Sequence, residues 1–307
     1  MSERFTPGQV EAWRREGGVL IENFFTPEEV RSVQADFRQV FGRGAGADTP
    51  MVRRKAGETG RFSAAQFATF EAVPCDCSPA LNLIGVHPAL MAFARAALNT
   101  TDVHLYQCQV WAKFTGAADY DQPFHCDFSN HTLTVPSEDA CLNSVTILCY
   151  FSDVTDAHGA MHYVRRTDSA RIAPPEATLS NDPDLQKRLQ PFERSSAAPA
   201  GSIFPYSIDV YHRGTNMTAP GGSRYAVMAC YKRAGDDSVG YHAWPFHHLK
   251  PWYRIFDHAT PEQLACFGVK PPGDPFWTET TLARAAARYP GWDLTPYREA
   301  ALQRNHG

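Results

Sequence analysis

The sequence lacks several features that would each assign it to a definite class of protein. No two of its eight cysteines have C-x-x-C spacing, so neither a zinc ribbon nor a dithiol redox motif is indicated. No segment approaches the ~20 consecutive apolar residues of a membrane helix, and the N-terminus has no apolar stretch of the kind found in secretion signals. We therefore expect a cytoplasmic protein whose thiols are reduced and mostly buried.

A large excess of charge of one sign is also missing. The formal net charge of -4 leaves no basic field of the kind that binds nucleic acid or an anionic membrane surface. Neither partner is predicted, and the composition favours a small-molecule substrate. It does not indicate an oligomeric state.

Helix start signals are present in the first hundred residues. Thr6 and Gln9 can form a capping box around a proline, and Thr26 and Glu29 repeat this arrangement. The run HPALMAFARAALN predicts a third helix over roughly 87–99. The sequence therefore begins with a helical part.

From about residue 103 the pattern changes to short strands separated by Gly, Asp, Ser and Pro clusters. This order predicts a mainly β fold with flanking helices, in the form of an antiparallel barrel or jelly roll. The earlier run GGVLIENFF predicts a short strand, and the polar, Pro-rich segment 171–200 predicts an insertion or lid. The predicted strands are VHLYQCQVWAKF, NSVTILCYF, GAMHYVRR, AGSIFPYSI and SRYAVMACYKR.

We expect one domain over residues 1–307. It would comprise a helical part over 1–100, a jelly-roll core over about 101–235 and an aromatic, Pro-rich C-terminal extension over 236–307 that closes with a helix. The length is sufficient for one large core.

The stretch QPFHCDFSNHTL, residues 122–133, contains an H-x-D pair formed by His125 and Asp127. The pair alone is weak evidence, because a chain with this many histidines and acidic residues contains one by chance. On a strand, however, residues i and i+2 face the same side, so these two side chains can converge on one ion while Cys126 points away. The pair is therefore a candidate metal site that needs a third ligand.

His212, near the end of the run GSIFPYSIDVYH, is the candidate third ligand. Two histidines and one carboxylate form the facial triad that holds non-haem Fe(II) with coordination positions left open. Arg224 follows at the start of the next strand, where its guanidinium could clamp a carboxylate through a two-pronged hydrogen bond.

In combination these motifs resemble the phytanoyl-CoA dioxygenase family of Fe(II)- and 2-oxoglutarate-dependent oxygenases, which includes ectoine hydroxylases. The resemblance covers most of residues 5–235 and rests on FTPGQVEAWRREGGVLIENFFTPEEV, HPALMAFARAAL, HCD, DVTDAHGAMHYV and the His-Arg pair at 212 and 224. It implies a double-stranded β-helix (a cupin-like jelly roll). It also implies a 2-oxoglutarate-dependent non-haem iron dioxygenase that uses O2 and hydroxylates a small organic metabolite.

The resemblance also implies roles for individual residues. His125, Asp127 and His212 would bind the iron, and Arg224 would pair with the distal carboxylate of 2-oxoglutarate. Three further positions match cosubstrate-binding residues of ectoine hydroxylases: Gln107, Thr146 and Lys113. Strand alternation places residues 107, 109, 111 and 113 on one unusually polar face, which a solvated face would also explain.

Several alternatives stay open. The family often has a Pro-Gly-Ser-His run where this chain has RRTDS at 165–169, which leaves the substrate class undefined. Other candidate activities are a non-redox cupin-like metalloenzyme with Zn or Mn, or an oxygenase that catalyses desaturation, cyclisation or epimerisation. His131 could contact substrate or be a plain polar residue, and His247 and His248 could line a pocket or pack within the extension.

Overall fold

The computed structural model describes residues 4–41, 70–115, 121–127, 131, 143–173, 182–236 and 250–305. The candidate pocket residues His247 and His248 lie outside these ranges. No helix in the described ranges is long and apolar enough to cross a membrane.

Helices precede and follow the strands along the chain, and further helices lie between strands. Both predicted capping boxes are present: the Thr6 and Thr26 hydroxyls accept from backbone N–H groups, and the side chains of Gln9 and Glu29 bond back to the threonine N–H groups. The α-helices are α1 Pro7–Glu16, α2 Pro27–Phe41, α3 Pro79–Asn82, α4 Pro88–Leu98, α5 Arg166–Ser169, α6 Pro183–Leu189, α7 Tyr253–Phe256, α8 Pro261–Cys266, α9 Glu279–Arg288 and α10 Thr295–Asn305.

The strands form two antiparallel sheets, as predicted for a jelly roll. The larger sheet has the order β1-β2-β8-β3-β6 and the smaller has the order β5-β4-β7. Sequence-distant strands pair directly, since β2 lies against β8 along its whole length with one irregularity between Leu105 and Gln107. The strands are β1 Phe70–Ala72, β2 Val103–Phe114, β3 Ser144–Tyr150, β4 Met161–Val164, β5 Glu193–Ser195, β6 Ile203–Tyr206, β7 His212–Gly214 and β8 Ser223–Arg233.

The run GGVLIENFF does not form the predicted strand. It makes only isolated bridges to β6, at Gly18 and Ile21. Gly17, the first residue of the run, and Asn23, seven residues into it, have positive φ angles of 79° and 55°, which interrupt an extended backbone. The apolar run is therefore too short between these two turns to be a full strand.

The segment predicted as an insertion or lid contributes to the fold. Its described part contains α6 and the edge strand β5, which pairs with β4 in the smaller sheet. Residues 174–181 lie outside the described ranges.

One apolar core includes residues of the strands and of the C-terminal helices, because Ile255, Leu264 and Tyr297 are fully buried in the same cluster as Val110 and Val227. The predicted C-terminal helix is present as α9. The seven described cysteines are free and buried, as expected of reduced thiols.

A partly buried ion cluster ties the start of the chain to α2 and α4. Glu29 accepts two hydrogen bonds from Arg4, at 2.7 and 3.0 Å, and lies 3.0 Å from His87 Nε2. Burial alone would raise the pKa of Glu29, but Arg4, the Thr26 N–H and His87 lower it to about 2. Glu29 is therefore ionised in the folded protein over the whole ordinary pH range.

Candidate metal centre

His125 and His212 meet in an isolated bridge between the H-x-D segment and β7. Each backbone N–H donates to the carbonyl oxygen of the other residue at 2.9 Å. The centroids of the two imidazole rings lie 4.4 Å apart. The bridge thus brings the first and last candidate ligands together from separate parts of the chain.

Asp127 completes a compact cluster with the two histidines. One potential ligand atom from each residue lies within 4.8 Å of the other two, and all three residues are buried. Asp127 Oδ1 lies 3.9 Å from His125 Nε2, and Asp127 Oδ2 lies 3.5 Å from His212 Nε2. Two imidazoles and one carboxylate in a cluster of this size fit a single transition-metal ion such as Fe(II).

Backbone carbonyl groups set the orientation of both imidazoles. His125 Nδ1 donates to Pro123 O and His212 Nδ1 donates to Val210 O, each at 2.9 Å. A carbonyl oxygen only accepts, so Nδ1 must carry the proton in both rings. The Nε2 lone pairs therefore face the cluster, as metal coordination requires.

The protonation states of the cluster also suit a cation. Burial lowers the pKa of His125 to about 4, and the neighbouring His212 acts in the same direction. Burial opposes ionisation of Asp127, but His212, His131 and His125 together hold the pKa of its carboxyl below the usual range. Neutral His125 and ionised Asp127 are the forms that bind a metal at neutral pH.

The cluster opens into a cavity of about 280 Å³ that also contains Arg224. The guanidinium of Arg224 stacks 4.6 Å from the Trp111 ring and donates through Nη1 to Gly159 O. Its Nε has no hydrogen-bond partner, and no carboxylate within the described ranges forms an ion pair with it. Burying a guanidinium without a counter-charge costs free energy of folding, so this arrangement suits a site that binds an anionic ligand.

One face of β2 lines this cavity, as strand alternation predicts. Gln107, Gln109 and Trp111 are among the lining residues, so this polar face borders the cavity of the metal cluster. Lys113 is buried directly opposite Arg224, but its ammonium donates to Thr215 O at 2.5 Å and it does not line the cavity.

Thr146 also lies outside the cavity lining. It is fully buried on β3, opposite Tyr206 of β6 and Cys230 of β8. The structure therefore brings Gln107 and Arg224 to the cavity and leaves Lys113 and Thr146 in the surrounding layer.

His131 is the third histidine that lines the cavity, and it is buried. Its Nδ1 lies 2.5 Å from the Tyr106 hydroxyl, and Tyr106 is fully buried. Burial raises the pKa of Tyr106 well above its usual value, so its hydroxyl stays protonated. Of the two interpretations left open for His131 by the sequence, the buried polar pair favours a position at the site.

Sequence reasoning did not identify Tyr206 or Gln122. The Tyr206 hydroxyl donates to Asp127 Oδ2 at 3.1 Å, and Gln122 Oε1 accepts from Gly214 N at 2.7 Å beside the cavity. Neither residue belongs to a spaced motif. Only the pairing of distant strands shows that they lie at the site.

Comparison with known proteins gives a family match. Residues 13–226 match the phytanoyl-CoA dioxygenase (PhyH) family. Among curated protein sequences, none matches the chain at a significant level.

Three solved structures have a similar fold, although their sequence identity to this chain is low. EctD from S. alaskensis, in its apoform, is 14% identical with a TM-score of 0.57 over 79% of this chain and 84% of that one. The epimerase SnoN in complex with Fe3+, alpha ketoglutarate and nogalamycin RO is 18% identical with a TM-score of 0.55, over 79% and 88%.

HygX from Streptomyces hygroscopicus, with nickel and 2-oxoglutarate bound, is 16% identical with a TM-score of 0.51, over 75% and 88%. At these identities the three structures establish the double-stranded β-helix fold, and chemistry must be argued from this chain's own residues.

Proposed function

Because this chain belongs to the phytanoyl-CoA dioxygenase family of non-haem iron enzymes that use 2-oxoglutarate and O2, we propose that it hydroxylates a small organic molecule. One observation carries the proposal. A His-Asp-His cluster and a buried guanidinium that forms no ion pair with any carboxylate of the described residues share one cavity. A non-redox metalloenzyme would explain the cluster but not the guanidinium.

His125, Asp127 and His212 would hold Fe(II), because they offer three buried donor atoms close together, with His125 neutral and Asp127 ionised. Three protein ligands leave positions open on a six-coordinate ion. When bound, the iron would supply activation of O2, with one oxygen atom going to succinate as 2-oxoglutarate loses CO2 and the other to the hydroxyl group formed at a substrate C–H bond.

Arg224 is proposed to hold the distal carboxylate of 2-oxoglutarate. The planar fork of a guanidinium matches a carboxylate, and the Trp111 ring fixes the plane of this one from one side. Gln107 lines the same cavity and can donate to the cosubstrate. We propose that Lys113 and Thr146 support the cosubstrate site from behind its wall, since neither lines it.

The remaining lining side chains would position the substrate and exclude water. Phe70 stacks on Trp111 with ring centroids 4.5 Å apart. Three further apolar side chains line the cavity: Leu148, Met161 and Met228. His131, whose ring is hydrogen-bonded to Tyr106, is proposed to hydrogen-bond a polar group of the substrate.

The test is conversion of 2-oxoglutarate to succinate by the Fe(II)-loaded protein with ascorbate, in the absence and presence of candidate metabolites. We expect slow basal turnover that a true substrate stimulates, with a product heavier by one oxygen atom. A product without added oxygen would favour desaturation, cyclisation or epimerisation. The proposal would be overturned if the protein with Zn or Mn hydrolysed a substrate without 2-oxoglutarate and the protein with iron produced no succinate.

We also propose that residues 1–307 act as one domain. The burial of Ile255, Leu264 and Tyr297 in the same apolar cluster as the strands supports this. A single cooperative unfolding transition, seen equally by calorimetry and by tryptophan fluorescence, is the expected result.

A further inference from the structure

Three consecutive carbonyl oxygens of the turn 207–211, between β6 and β7, accept hydrogen bonds from the H-x-D segment and from His212. Ile208 O accepts from the backbone N–H of Asp127 at 2.9 Å, and Val210 O accepts from His212 Nδ1 at 2.9 Å. Between them, Asp209 O accepts from the thiol of Cys126 at 3.3 Å. One turn therefore sets the position of the H-x-D segment and the ring orientation of His212.

The thiol of Cys126 is suited to this structural hydrogen bond. Cys126 is fully buried, and its thiol is the donor to the carbonyl oxygen of Asp209. This residue, between the two candidate ligands in the sequence, points to the turn and not to the cluster.

Arg166 holds the side chain of this turn through a two-pronged ion pair. Its Nε and Nη2 donate to the two carboxylate oxygens of Asp209, at 3.0 and 2.8 Å. Its Nη1 donates to Arg14 O, in the last turn of α1, at 2.7 Å. A fork of this kind fixes direction as well as distance, and a cation is favoured at the C-terminal end of a helix.

The end of α1 supports the same turn from its backbone. Gly17 O accepts from Ser207 N at 2.9 Å. Gly17 has a φ of 79°, and a Cβ atom there would lie 2.4 Å from Val210 Cγ2, so only glycine allows this close approach. The turn is thus held at three places: by the helix end, by Arg166 and by the cluster itself.

We propose that Arg166 is a positioning residue for the metal centre. By fixing Asp209, it holds three carbonyl groups in the register at which His212 and Asp127 face one ion. The inference rests on the proposed metal site and goes beyond it, since Arg166 does not line the cavity of the metal cluster and its hydrogen bonds to Asp209 and Arg14 do not involve the three candidate ligands. It lies in RRTDS, where this sequence departs from the common family pattern.

The test is anaerobic titration of the apo-protein with Fe(II), and with Co(II) for its visible spectrum, in Arg166→Ala. Loss of outer contacts of this kind lowers metal affinity by about 10- to 100-fold, and we expect a decrease in this range. The Co(II) spectrum should also change, because altered ligand directions change the coordination geometry.

Arg165→Ala is the matched control. Arg165 is the adjacent residue and pairs with Asp168 at 2.9 Å and Glu16 at 3.6 Å, with no hydrogen bond to the turn. The affinity of the Arg165→Ala variant for both metals should lie within about 2-fold of the wild-type affinity. Arg166→Lys keeps the charge without the fork and should recover part of the affinity.

A cycle with Asp209→Ala separates positioning from general stability. If the pair acts as a unit, Asp209→Ala and the double variant should bind metal as weakly as Arg166→Ala, whatever their melting temperatures. Wild-type affinity and an unchanged Co(II) spectrum in Arg166→Ala would overturn the inference while leaving the proposed function intact. Failure of the wild-type protein itself to bind Fe(II) would overturn both.

Discussion

The Tyr206 hydroxyl donates a 3.1 Å hydrogen bond to Asp127 Oδ2, and the Tyr206 ring lies 4.9 Å from the ring of His212. Burial raises the pKa of Tyr206 well above its usual value, and the charge of Asp127 adds to the shift, so the phenol stays a donor. One buried side chain on β6 thus orients the carboxylate and packs against an imidazole of the cluster.

Replacing Tyr206 with Phe should weaken metal binding while keeping the fold. The ring still fills its space, but Asp127 loses the donor that fixes its orientation, and we expect Fe(II) affinity to fall by about 10-fold. Tyr231→Phe is the matched control, because that buried hydroxyl bonds to Gly85 O away from the cavity. Isothermal titration under anaerobic conditions measures both, and equal losses would contradict the assignment.

His212→Ala should abolish Fe(II)-dependent turnover without unfolding the protein. Loss of one of three ligands leaves too few donors, whereas the apolar core does not include this side chain. His158→Ala, at a partly exposed turn where the ring bonds to Thr155, should behave like wild type. Full succinate production by His212→Ala would remove the residue from the metal site.

Arg224→Ala should weaken 2-oxoglutarate binding by roughly 10- to 150-fold, since charge-assisted pairs contribute about 1.5 to 3 kcal/mol and about 1.4 kcal/mol corresponds to a decade. Arg224→Lys should recover only part of this, because an ammonium lacks the planar fork. Fe(II) affinity should be unchanged in both. Wild-type 2-oxoglutarate affinity in Arg224→Ala, measured anaerobically with Fe(II), would exclude the proposed role.

His131→Phe should reduce the substrate's stimulation of 2-oxoglutarate consumption and leave the basal rate near wild type. The change removes the polar ring atoms at the cavity but keeps its volume filled. Tyr106→Phe should have the same effect in weaker form, because it removes only the hydroxyl that holds His131. An unchanged ratio of stimulated to basal turnover in His131→Phe would show that the ring does not contact substrate.

Glu29→Gln should reduce the stability of the protein at neutral pH and flatten its acid unfolding. The folded pKa of about 2 is below the ordinary value of 4.5, so the contribution is present above pH 4.5 and lost as the pH falls towards 2. The full shift would correspond to about 3.4 kcal/mol at about 1.36 kcal/mol per pKa unit, and solvent screening of this partly exposed group reduces the expected loss of stability to about 1 to 2 kcal/mol. Glu28→Gln, an exposed neighbour in the same helical turn, is the control, and denaturant titrations at pH 7 and pH 3 give the comparison.

The sequence predicted those parts of the site that depend on local spacing. His125 and Asp127 are two residues apart, and alternation on a strand places them on one side wherever the strand lies. His212 and Arg224 were found because each is close to a recognisable strand boundary. The face of β2 was also predicted, since alternation along one strand needs no knowledge of its neighbours.

What the sequence did not predict depends on register and reach. Tyr206 contacts Asp127 only because β6 ends beside the H-x-D segment, and Arg166 reaches Asp209 only because α5 lies next to the turn 207–211. Lys113 shares its face with Arg224, yet its ammonium donates to Thr215 O instead of lining the cavity. The strand predicted at GGVLIENFF was wrong because two positive φ angles confine it.

The guanidinium of Arg224, which forms no ion pair with a carboxylate in the described part of the chain, has a consequence for how a catalytic cycle would end. A residue that recognises only the far carboxylate treats 2-oxoglutarate and succinate alike, since both carry that group. Discrimination between them must then come from the other end of the molecule, where only the 2-oxo acid can chelate an ion. If Arg224 holds that carboxylate, succinate should compete with the cosubstrate, and Arg224 should slow the departure of succinate and not its formation.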